Sequence, residues 1–229
     1  MPTDFAESLG DILGAAYAKA DRLLADTIRS GAPTRFANLG DAMKRIAAAL
    51  DGTGHISGFS ELILGRLVVH HIARRTGVPE TPFEDDTGVG SSASRVGEYV
   101  VLRDVSPHNW FARATGRDRP KRKSIDVTVF RRPPDGAPPE LVAAMEIKNN
   151  PNHDSDVEGV LASFRILSRD YAPANLKFAL AVLYEPGMNE KRRTMIASEP
   201  SPGNAAIQWF PGGDGRTVGD MLEWMLPLR

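Results

Sequence analysis

Apolar positions repeat at helical spacing through the first third of the chain and then gather into short runs. Leu9, Ile12, Leu13, Ala16, Leu23, Leu24 and Ile28 form a stripe that predicts a helix from about Asp4 to Arg29. Asp4 and Glu7 make its capping box, and Ser30-Gly-Ala-Pro33 ends it. A second helix fits Asp41 to Leu50. A third fits Ser60 to Arg75 and is closed by Gly77 and Pro79, and the Pro-, Gly-, Ser- and Asp-rich residues 79–95 read as a loop. Beyond it the period shortens. Gly97–Arg103 reads as a strand, 104–122 as a polar, basic connection, Ile125–Phe130 as a second strand, Arg131–Pro139 as a turn and Leu141–Lys148 as a third strand, stopped by Asn149–Asn152. Ser155 and Glu158 form a capping box for a helix reaching Tyr171, with Val157, Val160, Leu161, Phe164, Leu167 and Tyr171 on one face. Leu176–Tyr184 is the most apolar strand. A loop over 185–204, with a helical turn near Lys191–Ala197, leads to a strand at Ala206–Phe210 and a closing helix at Thr217–Leu226.

This order predicts an α/β fold. A long helix between two apolar strands suits a crossover covering a central sheet, and the Pro-rich turn suits an antiparallel pair, so the sheet is expected to be mixed. A boundary near residue 56 divides a helical N-terminal extension, 1–56, from a domain over 57–229. Composition changes this picture little: 229 residues, 41% hydrophobic and 25% charged, describe an ordinary globular protein. Cysteine is absent, which removes disulfides, thiolate zinc sites and cysteine nucleophiles. No apolar run approaches the roughly 20 residues that span a bilayer, and Met1–Glu7 lacks the pattern of a secretory leader. A cytoplasmic protein with no membrane partner is expected.

Three charges break the apolar strands: Asp126 in Ser124-Ile-Asp-Val-Thr-Val-Phe130, and Glu146 and Lys148 in Leu141-Val-Ala-Ala-Met-Glu-Ile-Lys148. Charged side chains are rarely buried unless paired or bound to a cation. Glu146 and Lys148 are two apart, so in a strand they share a face. Two acids and an amine converging on a sheet predict a metal-assisted hydrolytic site. Phosphodiester hydrolysis needs a divalent cation, and Mg2+, with Mn2+ as a substitute, takes hard oxygen ligands. Asp126 and Glu146 supply two carboxylates, the Ile147 carbonyl a third oxygen, and Lys148 sits beside the attacking water. The bland alternative is an edge strand with a solvent-facing Glu and Lys. Val142, Ala143, Ala144, Met145 and Ile147 are apolar on both faces and speak against it.

Ile125-Asp126, followed 20 residues later by Glu146-Ile147-Lys148, resembles the PD-(D/E)xK phosphodiesterase superfamily of restriction-endonuclease-like nucleases. The likeness spans about residues 57–185, and the family's proline is Ile125 here. It implies a restriction-endonuclease-like αβββαβ core, a central mixed sheet flanked by helices, and a Mg2+-dependent endonuclease acting on DNA in bacterial or phage defence or DNA processing. It also implies a homodimer where both strands of a duplex are cut. A non-catalytic nucleic-acid- or protein-binding member of the same fold is the alternative. The family often adds an acid from the preceding helix. Glu61 shares a stripe with Gly65, Val68 and Ile72, so it either joins the metal or is a first-turn Glu favoured by the helix dipole. Glu98 is a weaker rival.

Arg113, Arg117, Arg119, Lys121, Arg122, Lys123, Arg131 and Arg132 face only Asp118 and Asp126 over residues 113–132, a marked excess in a chain of net charge −1. The first six are the candidate nucleic-acid contacts. Trp110 and Phe111 either stack on a base or pack. His70 and His71 are adjacent rather than four apart, so they make no zinc pair on a helix. His108 and His153 fall in predicted loops, with His153 a candidate proton shuttle or phosphate contact. Asn149 and Asn150 are capping or substrate-contact candidates, and Gly212-Gly-Asp-Gly215 is a turn without the context of a phosphate loop.

Overall fold

Buried apolar residues in the computed structural model fall into two clusters, one on each face of a mixed sheet. The structure describes residues 56–83, 93–116, 123–171, 175–183, 187–201, 205–211 and 217–228. The helices expected within 4–29 and 41–50 lie outside the described residues. Helix α1 (Ile56–Thr76) leads into strands β1 (Glu80–Pro82), β2 (Ala93–Val96) and β3 (Tyr99–Val105). Helix α2 (Pro107–Thr115), strands β4 (Ile125–Arg131) and β5 (Glu140–Lys148), and helix α3 (Asp154–Tyr171) follow. The chain closes with β6 (Lys177–Val182), α4 (Glu190–Ala197), β7 (Ala206–Pro211) and α5 (Val218–Met225). The strands lie in sequence order across a seven-stranded sheet, antiparallel from β1 to β5 and parallel from β5 to β7.

The layers follow from side-chain period. In and just beyond β6, Ala179, Ala181 and Leu183 enter the cluster that holds α1 and α5, while Phe178, Leu180 and Val182 enter the one that holds α2, α3 and α4. Strands covered on both faces read as continuous apolar runs, which is what β5 and β6 show. The crossover β5–α3–β6 and the antiparallel β4–β5 pair are both as expected. Helix α1 lies close against the sheet because residue 65 is glycine: a Cβ there would stand 2.7 Å from Cγ and Cδ of Arg103.

Four local expectations are corrected. Residues 79–95 are not wholly a loop, because β1 and β2 pair within them. These two short strands lack apolar alternation and are held by the ladder and, at β1, by Arg66 against Glu80 at 2.6 Å. The connection at 104–122 contains α2, whose start is built by Ser106 accepting from the Asn109 N–H at 3.3 Å with Pro107 behind it, and whose end is the left-handed Gly116. His108 is therefore in a helix. The start of α3 rests on the Asp156 carboxylate accepting from the His153 N–H at 3.0 Å rather than on Ser155 and Glu158. The helical turn near 191–197 is a full helix capped by Asn189.

Candidate active site

Strands β4 and β5 pair along most of their length and then part. Their register ends at Val127↔Met145. Beyond that point β4 stays with β3 as far as Ile125↔Val105, and β5 stays with β6 as far as Lys148↔Val182. The ladder bond that Ile147 N–H would make across this gap is replaced by a side chain, since Asp126 Oδ2 accepts it at 2.6 Å. A buried N–H without a partner is costly, so the carboxylate is fixed where the strands diverge.

One step past the last pair, Asp126 and Glu146 stand level with each other. Glu146 is only 2% exposed. Its Oε2 lies 3.4 Å from Lys148 Nζ, and its Oε1 is buried without a hydrogen-bond partner. Lys148 is partly open to solvent, at 29%. β5 is an interior strand, so the edge-strand alternative is not what the fold provides.

Burial and the Glu146 carboxylate push Asp126 up to about 7, against the Ile147 N–H bond; Glu61 adds to the rise and Lys148 opposes it. Glu61, half-buried on α1, is itself raised by burial, then by Asp104 and Glu146, with Lys148 opposing. Glu61 is thus near enough to feel the strand acids, which the helical stripe alone left undecided. Asp126, Glu146 and Lys148 thus meet at the gap, with Glu61 close enough to act on the strand acids and Asp104 close enough to act on Glu61.

Asp104 is the residue that sequence reasoning missed. It sits between the pairs Arg103↔Val127 and Val105↔Ile125, level with Asp126, in a strand expected to stop at Arg103. Its φ of 49° makes it the one non-glycine residue in the left-handed region among the described residues. Asp tolerates that conformation better than most side chains. The signal was Val105, which continues the apolar run past the charge.

Among the described residues no group of three or more His, Asp or Glu side chains is arranged to hold a metal by itself. Two carboxylates are nonetheless what Mg2+ commonly takes from a protein, with water and substrate oxygens completing its shell. The unpartnered Glu146 Oε1 and the raised Asp126 suit a cation between them. Ile147 enters the site through its N–H, while its side chain belongs to the core.

Of the basic segment, Arg113 is exposed in the last turn of α2, and Lys123 is exposed three residues before Asp126, within roughly 10 Å of chain. Arg117, Arg119, Lys121 and Arg122 lie outside the described residues. Arg131 is at the far end of β4, bonded to Glu98 Oε2 at 3.0 Å, so neither Glu98 nor Arg131 belongs to this site. Trp110 is fully buried against Phe130, with ring centroids 4.6 Å apart, and Phe111 meets Tyr171 at 5.3 Å; both pack. His71 faces the Leu226 carbonyl at 3.1 Å, and His108 faces Asp170 Oδ2 at 3.0 Å.

No known family model, curated protein or solved structure matches the chain.

Proposed function

We infer that the protein is a metal-dependent nuclease that hydrolyses phosphodiester bonds, with DNA as its substrate. The observation that carries this reading is the opening between β4 and β5, where Asp126, Glu146 and Lys148 gather and one buried carboxylate oxygen has no partner. Asp126 satisfies the Ile147 N–H, but the packing gives no such task to Glu146 Oε1, and buried charge is retained at a cost. The run α1, β3, β4, β5, α3, β6 supports a restriction-endonuclease-like core, with α2 inserted after β3. Lys123, close in the chain to Asp126, and the parallel strands β5, β6 and β7, each followed by a helix, favour an anionic ligand at this edge.

In this reading Asp126 and Glu146 would hold Mg2+ or Mn2+, with the Ile147 carbonyl as the candidate third oxygen. The bound ion supplies charge neutralisation at the phosphate and a more acidic water. Lys148 would orient the attacking water and stabilise the charge that develops on the phosphoryl oxygens. Glu61 and Asp104 stand behind the pair as acids able to bind the ion through water.

The experiment is a cleavage assay on duplex DNA, single-stranded DNA and RNA across a Mg2+ and Mn2+ titration, with Asp126→Asn, Glu146→Gln and Lys148→Met. The expected outcome is metal-dependent cleavage of DNA by the wild type alone. Retained nucleic-acid binding with no cleavage under any metal would favour the non-catalytic binding member of the fold.

A further inference from the structure

The segment that leaves Lys148, Asn149-Asn-Pro-Asn-His153, is polar and lies on the outside of the fold, yet it is tied down unusually well. Arg192 of α4, only 12% exposed, donates from Nη1 to the Pro151 and Gly187 carbonyls, from Nη2 to the Asn152 carbonyl, and from Nε to Asp154 Oδ1 at 3.0 Å. One guanidinium thus joins the loop after β5 to the loop after β6. The two strands are also bound at their ends by Leu183 N–H to the Lys148 carbonyl at 3.0 Å. Gly187 closes the joint: a Cβ there would stand 2.5 Å from both Asn150 Oδ1 and the Pro151 carbonyl oxygen.

This clamp has a directional consequence. The Pro151 and Asn152 carbonyls turn toward Arg192, so across trans peptides the N–H of Asn152 points the other way. The side chains of Asn152 and His153 are exposed; the loop has no acid of its own, and the Asp156 carboxylate beside it accepts from the His153 N–H. The first acid after the loop, Asp154, is matched by Lys191 and Arg192. An anionic strand reaching Lys148 therefore meets the fixed Asn152 N–H and, beside it, the exposed Asn152 and His153 side chains, within roughly 18 Å of chain from the reacting groups. Preordering spares the entropy that an unclamped loop would lose on binding.

Resting on the nuclease reading, we propose that Asn152 and His153 form the surface that receives the nucleic-acid strand flanking the reactive phosphate, and that Arg192 is the residue that positions it. The contacts are to phosphate and sugar oxygens, which fix the strand without reading its sequence.

The test is binding of a fluorescein-labelled short DNA duplex, and of one of its strands, to the full-length protein in Ca2+ buffer by fluorescence anisotropy. The double variant Asn152→Ala/His153→Ala should bind roughly tenfold more weakly with an unchanged melting temperature. Arg192→Met should weaken binding to a similar degree, and adding it to the double variant should cost little more. Such non-additivity marks action through the loop and would not follow from general destabilisation. Arg131→Ala, at the far end of β4, should leave affinity unchanged. If Arg192→Met fails to fold, the double variant decides alone. Wild-type binding that the double variant leaves intact overturns this proposal but not the nuclease reading. Absence of wild-type binding to either probe overturns both.

Discussion

The two ends of the β4–β5 pair are made from the same strands and treat charge in opposite ways. At the hairpin end the register runs to Arg131↔Glu140, and Arg131 is bonded to Glu98, so its charges meet in the open at the surface. At the other end the ladder stops early, two carboxylates face each other in a buried gap, and a single lysine answers them. The first arrangement is what a stable sheet needs. The second works against stability, and the proposed cation is what would offset that cost.

The largest expected difference between the ends is catalytic. Asp126→Asn, Glu146→Gln and Lys148→Met should each lower metal-dependent cleavage by at least about a thousandfold. Arg131→Ala should leave it unchanged in the same assay. A comparable loss from Arg131→Ala would mean that the open end is not the special one.

Next in size is the cost of the open end without metal. Burial and the Glu146 carboxylate hold the Asp126 carboxyl at about 7 in the fold, against about 4 for an exposed aspartate. The native state then holds more protons than the unfolded state between these values, so stability falls as pH rises from about 4 to about 7. The difference corresponds to on the order of 4 kcal/mol at most. Thermal melts of the metal-free protein should therefore show a lower melting temperature at about pH 8 than at about pH 5. Asp126→Asn should flatten that dependence, since its amide oxygen can still accept from Ile147 N–H. Mg2+ should raise the wild-type melting temperature more at the higher pH. Equal Mg2+ effects at both would separate the cation from Asp126.

Glycines mark a third contrast. Gly187 has no room for a methyl group, and a Cβ at Gly159 on α3 meets nothing within 4 Å. Gly187→Ala should destabilise by roughly 1–3 kcal/mol through the forced shift of the Asn149–His153 loop. Gly159→Ala should stabilise by about 0.5–1 kcal/mol, as in any exposed helix interior. Urea denaturation of both variants measures the pair.

The regions that were legible in the sequence are those where local pattern and tertiary environment agree. Leu141–Lys148, Lys177–Val182 and the Val157–Tyr171 stripe are apolar because both sheet faces are covered, and each formed the expected element. The charges at 126, 146 and 148 were visible because they interrupt the apolar runs at 125–130 and 141–148. Elements whose stability comes from neighbours were not visible: β1 and β2 hold by pairing, and α2 is short, with its Ser106-Pro107 start hidden in a basic stretch. Asp104 was hidden for a related reason. Its place beside Asp126 depends on a register and a left-handed backbone that no local pattern encodes. The Arg192 clamp joins residues some 40 positions apart, far beyond any spacing rule.

The smallest effect returns to the hairpin end. Arg131 is exposed and Glu98 partly so, and water screens most of the attraction between them. Arg131→Ala, Glu98→Ala and the double variant should each change stability by less than about 1 kcal/mol, and a double-mutant cycle should return a coupling of about 0.5 kcal/mol that shrinks with added salt. A coupling several times larger would mean that this end of the sheet also relies on its charges for more than solubility. The contrast with Asp126 and Glu146 would then lie in the sign of the charge balance rather than in its cost.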